Sequence, residues 1–148
     1  MGKKNMPNFE WIVLIIMIIV IPLFWLQMRD KDIAFCRSAF ADLVKARQSV
    51  QKMIDWGNLK AVGVDVGATY SSLRDEQEKR DYKKSFIKNF SHSFRQSKGK
   101  LAGFSHWRIY DKDIHQSIVA ADYKNNTMLF TISKNGIRKL SVIQWEVK

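Results

Sequence analysis

The stretch TMLFTISKNGIRKLSVIQWEV, residues 127–147, decides the fold. Met128, Phe130 and Ile132 alternate with Thr127, Thr131 and Ser133. That period of two puts one face of a strand in a core and the other in water. Asn135-Gly136 separates this run from a second apolar one, and Asn-Gly in that position is a strong hairpin signal because both residues accept positive φ. Parity changes near Val142-Ile143, which predicts a bulge or a strong twist in the last strand.

Two more strands precede these. LAGFSHWRIY (101–110) and QSIVAADY (116–123) are separated by Asp111-Lys112-Asp113, and Asn125-Asn126 leads into residue 127. Four strands at hairpin distances predict an antiparallel meander.

Upstream the period changes to that of a helix. Tyr82, Phe86, Phe90 and Phe94 fall four apart with Ile87 beside them, and Lys98-Gly99 closes the run. Ser72, with Asp75 three residues on, predicts its N-terminus as a variant capping box. Four rings on one stripe form a stacking platform when exposed and a core when packed, and helical spacing favours a core. Further back, Ile33, Cys36, Phe40, Leu43, Val44, Val50, Met53 and Ile54 recur at three- and four-residue steps up to Gly57-Asn58. They predict one helix from Asp30 to Trp56. Residues 58–71, NLKAVGVDVGATYS, mix strand alternation at Val62, Val64 and Val66 with helical spacing, and a short helix is the expectation there. The fold class is therefore α+β, with two or three helices on a four-stranded antiparallel sheet.

The N-terminal end has another character. Trp11 to Met28 is eighteen residues without a charge, which as a helix reaches roughly 27 Å, close to the hydrocarbon thickness of a bilayer. The expected organisation is a short basic tail (1–10), a transmembrane anchor (11–28), a juxtamembrane first helix (29–57), and the remainder of a single domain (58–148). Leu26-Gln27-Met28-Arg29 offers no small-x-small cleavage site. Phe35 stands where a lipobox before Cys36 needs a small residue, and Met6 stands where myristoylation needs Ser or Thr. Lys3 and Lys4 before the run favour the tail inside and residues 29–148 outside the membrane.

The chain carries a net charge of +11, and residues 29–148 hold 23 basic and 13 acidic residues, or +10. A basic domain beside a membrane is drawn to anionic lipid or anionic wall polymer. Acids interleave with the bases, as in Asp75-Glu76-Gln77-Glu78-Lys79-Arg80-Asp81, so nucleic acid is a poor partner. The expected partners are the lipid bilayer and another envelope protein.

No catalytic, metal or cofactor constellation stands out. His92, His106 and His115 lack carboxylate or cysteine neighbours at ligand spacing, although the latter two could meet across the first hairpin. Gly63-Val64-Asp65-Val66-Gly67 lacks both the Gly-x-Gly-x-x-Gly pattern and the Gly-Lys-Ser/Thr ending. Asp65 and Asp122 are surface or turn carboxylates unless a pocket forms around them. Cys36 reads as a small buried hydrophobe.

YKKSFIKNFSHSF, then GKLAGF, then hairpins carrying IVAADY and TMLFTISKNG resemble the NTF2-like or cystatin-like α+β domains found behind bacterial membrane anchors. The resemblance implies a sheet curled around a helix to form a cone, with Tyr82, Phe86, Phe90 and Phe94 facing Trp107, Phe130 and Trp145. It also implies a non-catalytic binding or accessory role, with a small enzyme using the cone pocket as the alternative. Type IV pilins share the layout of apolar helix and C-terminal sheet. Their processing site needs Gly before a Phe-like residue and Glu at the fifth position after the cut, whereas here Asn8 precedes Phe9 and Glu10 follows at once.

Overall fold

The computed structural model describes Val13, residues 15–21 and residues 30–147. The chain divides into two compact units, Met1–Lys31 and Asp32–Lys148. In the first, residues 15–21 are helical and their apolar side chains are exposed. The sequence predicted a transmembrane helix over residues 11–28, and this is corrected. Among the described residues no helix is long and apolar enough to cross a membrane, and the rest of that run lies outside them.

In the second unit, α1 (Lys31–Val44) is followed by a 3-10 turn (Gln48–Met53), then β1 (Lys60–Ala61), β2 (Val64–Asp65) and α2 (Val66–Ser72). The long helix α3 (Glu76–Gln96) and a second 3-10 turn (Leu101–Gly103) lead into β3 (Phe104–Lys112), β4 (Gln116–Tyr123), β5 (Asn126–Ser133) and β6 (Lys139–Trp145). The fold class is α+β, but the predicted four-stranded antiparallel sheet is wrong. The sheet has six strands in the order β2-β1-β6-β5-β4-β3, and it is mixed because β1 runs parallel to β6.

The two extra strands come from the ambiguous stretch 58–71. Lys60 pairs with Asp65 and Ala61 with Val64, and the turn between them holds Val62 at φ 49° and Gly63 at φ 82°. Positive φ at both turn positions matches the right-handed twist of a hairpin. Two-residue strands are too short to set a period, and the sheet's own hydrogen bonds decide them. Val62 N donates to Ile143 O at 2.7 Å and Asp55 N to Leu140 O at 2.9 Å.

The predicted helix 30–56 also breaks. α1 stops at Val44, Ala46 adopts φ 55°, and Asp42 accepts from both Arg47 and Ser49. The apolar spacing continues past the break because Val50 and Ile54 are buried without being on a continuous helix. α3 starts one turn later than predicted. Asp75, not Ser72, is its N-cap and accepts from Gln77 N at 3.1 Å.

The strands after Gly99 match the predicted runs closely. β4 and β5 pair without interruption from Gln116↔Ser133 to Tyr123↔Asn126. The parity change in β6 is a register shift, with Leu140 opposite Ile132 but Val142 opposite Thr131. β3 is an edge strand with two shifts of its own, and His106 sits in the first at φ 48°. Such irregularity protects an edge from pairing with other chains.

The core lies between α1 and one face of the sheet. Phe40 is fully buried and meets Phe90, Phe94, Phe104 and Phe130 edge-on, with centroids 4.9–6.4 Å apart. α3 joins through Ile87, which is fully buried, and Ser91, whose hydroxyl donates to Val44 O at 2.6 Å.

Candidate functional site

α3 presents two faces to the rest of the molecule. Ile87 and Ser91 are buried, while Tyr82, Phe86, Phe90 and Phe94 are half-buried against the core's edge. A stripe at i, i+4, i+8 and i+12 drifts around a helix with 3.6 residues per turn. It therefore lies along a border between core and solvent.

That border lines a cleft of about 690 Å³, within the size range of small-molecule sites. Its deep wall comes from Phe40, Phe104 and Met128, all buried. Phe86, Phe90 and Phe94 form the α3 wall. The rim includes Val62 and Val64 of the β1–β2 hairpin, Asn89 and Ser93 of α3, Ser97 at its C-cap, and Trp145, Lys124 and Asn126 at the ends of the sheet. Among the described residues Lys124 is the single charged one of the lining. Its Nζ lies 5.5 Å from the Tyr123 ring centroid, a cation–π distance.

The seven aromatic residues expected to face one another are distributed over the cleft and its flanks. Phe86, Phe90, Phe94 and Trp145 line it. Tyr82 lies beyond one end, 6.4 Å from Tyr70, with Lys79 and Lys83 over the Tyr70 ring. Phe130 is fully buried beneath the cleft, and Trp107 stacks on it at 5.4 Å. Phe40, Phe104, Tyr123 and Met128 are among the lining residues that the sequence did not assign to a pocket, Phe40 and Met128 having been read as core positions. Met128 and Tyr123 carried a usable signal, since both fall on the core parity of their strands, Met128 near the start of β5 and Tyr123 at the end of β4. Phe104 carried none, because the bulge beside it hides the parity of β3.

A second polar cluster sits at the opposite end of the same strands. Asp32, in the first turn of α1, is 1% exposed. Its Oδ2 accepts from Ser117 Oγ at 2.7 Å and its Oδ1 from Arg138 Nε at 2.6 Å. Lys112 and Lys134 Nζ lie 3.4 and 4.0 Å away. Burial raises the Asp32 pKa, but hydrogen bonds from Ser117, Arg138 and Lys112 outweigh it and hold the carboxyl at about 2. A carboxylate so firmly ionised fastens α1 to the sheet and is a poor proton acceptor.

Among the described residues Ser105, His106 and Asp122 form the one arrangement that invites a catalytic reading. Ser105 Oγ lies 3.2 Å and Asp122 Oδ2 3.7 Å from the same imidazole nitrogen, Nδ1 of His106. A relay needs the serine hydroxyl and the orienting carboxylate on opposite nitrogens of the imidazole. Asp122 is instead engaged by Arg108 and Thr127, each at 3.0 Å, and Arg108 holds its carboxyl below the usual range. His115 belongs to the β3–β4 turn, where its N–H donates to Asp113 at 2.6 Å. Cys36 is fully buried, and burial pushes its thiol up, away from the reactive thiolate. Among the described residues no group of three His, Cys, Asp or Glu side chains could hold a metal.

No family model, curated protein or solved structure matches this chain. The geometry of the cleft therefore carries the functional reading.

Proposed function

We propose that Asp32–Lys148 is a non-catalytic binding module of the bacterial cell envelope, which receives an apolar group of another envelope component in the cleft between α3 and the sheet. One observation carries this. The cleft's wall is aromatic and partly open to water, with Trp145 38% exposed and Phe86, Phe90 and Phe94 half-buried. Rings left in this state gain further burial when a guest covers them. Among the described residues the lining holds no His, Asp, Glu or Cys, and Lys124 is its one charged side chain. The charge of +10 over residues 29–148 supports a setting beside anionic envelope surfaces. The likeness to NTF2-like and cystatin-like domains belongs to the same proposal, supported by a long helix that precedes the β3–β6 hairpins.

Site-specific photocrosslinking in cells tests the reading. A photoreactive residue at Ser93 or Asn126, both on the rim, should capture an envelope component. The same residue at Thr131, on the sheet face away from α1, should capture little. Equal capture from all three positions would remove the cleft as the binding site.

A further inference from the structure

The cleft has a direction as well as a volume. Its α3 wall runs from Phe86 through Phe90, Ser93 and Phe94 to Ser97. Eleven residue steps along a helix cover roughly 16 Å, the reach of an extended hydrocarbon chain on the order of a dozen carbons. Asn89, Ser93 and Ser97 lie at intervals along this groove, whereas the one charge among the described lining residues sits at a single place. Asn126 and Lys124 cluster at the β4–β5 turn beside Trp145, while the deep wall is Phe40, Phe104 and Met128. Lys100 N donates to the Tyr123 hydroxyl at 3.2 Å. That backbone bond ties the chain after α3 to the Tyr123 side chain, where Gly99 joins the cleft lining. An occupant complementary to this lining is long and apolar, with one anionic end.

We propose that the cleft binds a single-chain carboxylate amphiphile, its hydrocarbon chain lying along the rings of Phe86, Phe90 and Phe94 and its carboxylate at Lys124. This names the guest for the binding module inferred above and rests on that reading. Lys124 supplies a point charge for the head and Asn126 an amide donor, while the rings supply contact area that discriminates by chain length. The volume of about 690 Å³ is that of a site for one small molecule. No covalent step is involved.

The test uses the full-length chain free of detergent, whose alkyl chains would compete. Octanoate, decanoate and dodecanoate are titrated below their micellar concentrations, with the methyl resonance of Met128 as the reporter because that residue lines the deep wall. Burying a methylene stabilises by about 0.8 kcal/mol, so affinity should rise about fourfold per added carbon, or about fifteenfold from decanoate to dodecanoate. Lys124→Glu should weaken dodecanoate about two- to fivefold, the range of an exposed ion pair, and leave dodecanol unchanged. Ser93→Phe should fill the groove from its exposed rim and abolish the Met128 response without touching the core.

Affinity independent of chain length, or a Met128 response unaltered in Ser93→Phe, would overturn the proposal. So would a response to phospholipid vesicles with none to the free carboxylates, since the guest would then be a membrane acyl chain. If no amphiphile binds but the photocrosslinks at Ser93 and Asn126 persist, the guest is wrong and the binding module stands. Loss of both overturns the two together.

Discussion

Arg138 Nε donates to Asp32 Oδ1 at 2.6 Å across 106 positions of sequence, tying the loop before β6 to the first turn of α1. Asp32 is almost wholly buried, whereas Arg138 and Lys112 are 43% and 46% exposed. The cations reach in from the surface, and the carboxylate is the member that cannot leave.

A pH dependence follows from this asymmetry. The Asp32 carboxyl has an ordinary value of 3.8 and is held at about 2 in the folded chain. The unfolded state therefore binds more protons between these values. The stabilisation is complete above pH 3.8 and is lost as the pH falls through 2. Its size is roughly 2 kcal/mol. Urea unfolding of wild type and Asp32→Asn should show a gap of that order near pH 6 that narrows steadily from pH 4 to pH 2. A gap that stays constant over this range would assign the cost to packing instead.

The two glycines of the β1–β2–α2 segment make separable predictions. A Cβ on Gly67 would lie 2.5 Å from the Gly57 carbonyl oxygen and 2.8 Å from its carbon, backbone atoms that cannot rotate away. Gly63 has open space around it but holds φ at +82°. Gly67→Asn should therefore cost about 1–3 kcal/mol through overpacking, while Gly63→Asn should be nearly neutral because Asn accepts the left-handed region. Equal destabilisation of the two variants in chemical denaturation would contradict this assignment.

The sequence was most legible where one physical rule acted alone. Met128, Phe130 and Ile132 face the core as their alternation required, and the change of parity in β6 marks a register shift. It was least legible where partners distant in sequence decide. β1 exists because Val62 and Asp55 donate to β6, and no local period encodes that pairing. The Asp32 cluster draws on Ser117, Lys112, Lys134 and Arg138 from four separate places along the chain. The aromatic stripe was visible as a stripe, but its depth depended on where α1 and the sheet stopped covering it.

Ser91 offers a third measurement. Its hydroxyl donates to Val44 O at 2.6 Å, and both residues are buried. Ser91→Ala leaves the last carbonyl of α1 without that partner, at an expected cost of about 1–3 kcal/mol. Hydrogen exchange should show the loss concentrated at the α1–α3 contact. Uniform loosening of the sheet, with α1 and α3 unaffected, would count against a local pin.

The last prediction separates core from site on α3. Ile87 and Phe90 are three positions apart, yet Ile87 is fully buried and Phe90 only partly buried at the cleft. Ile87→Ala leaves a closed cavity and should cost about 2–5 kcal/mol. A fully buried Phe→Ala change costs about 3–5 kcal/mol, and Phe40→Ala should fall in that range because its ring touches four others. Phe90→Ala should cost well below it, because its truncation widens a cleft already open to water. The order of destabilisation is then Phe40→Ala at or above Ile87→Ala, with Phe90→Ala clearly the mildest. Thermal unfolding of the three variants gives that order directly. If Phe90→Ala proved as damaging as Phe40→Ala, the ring would be part of the core, and the cleft would lose the wall on which its binding role is argued.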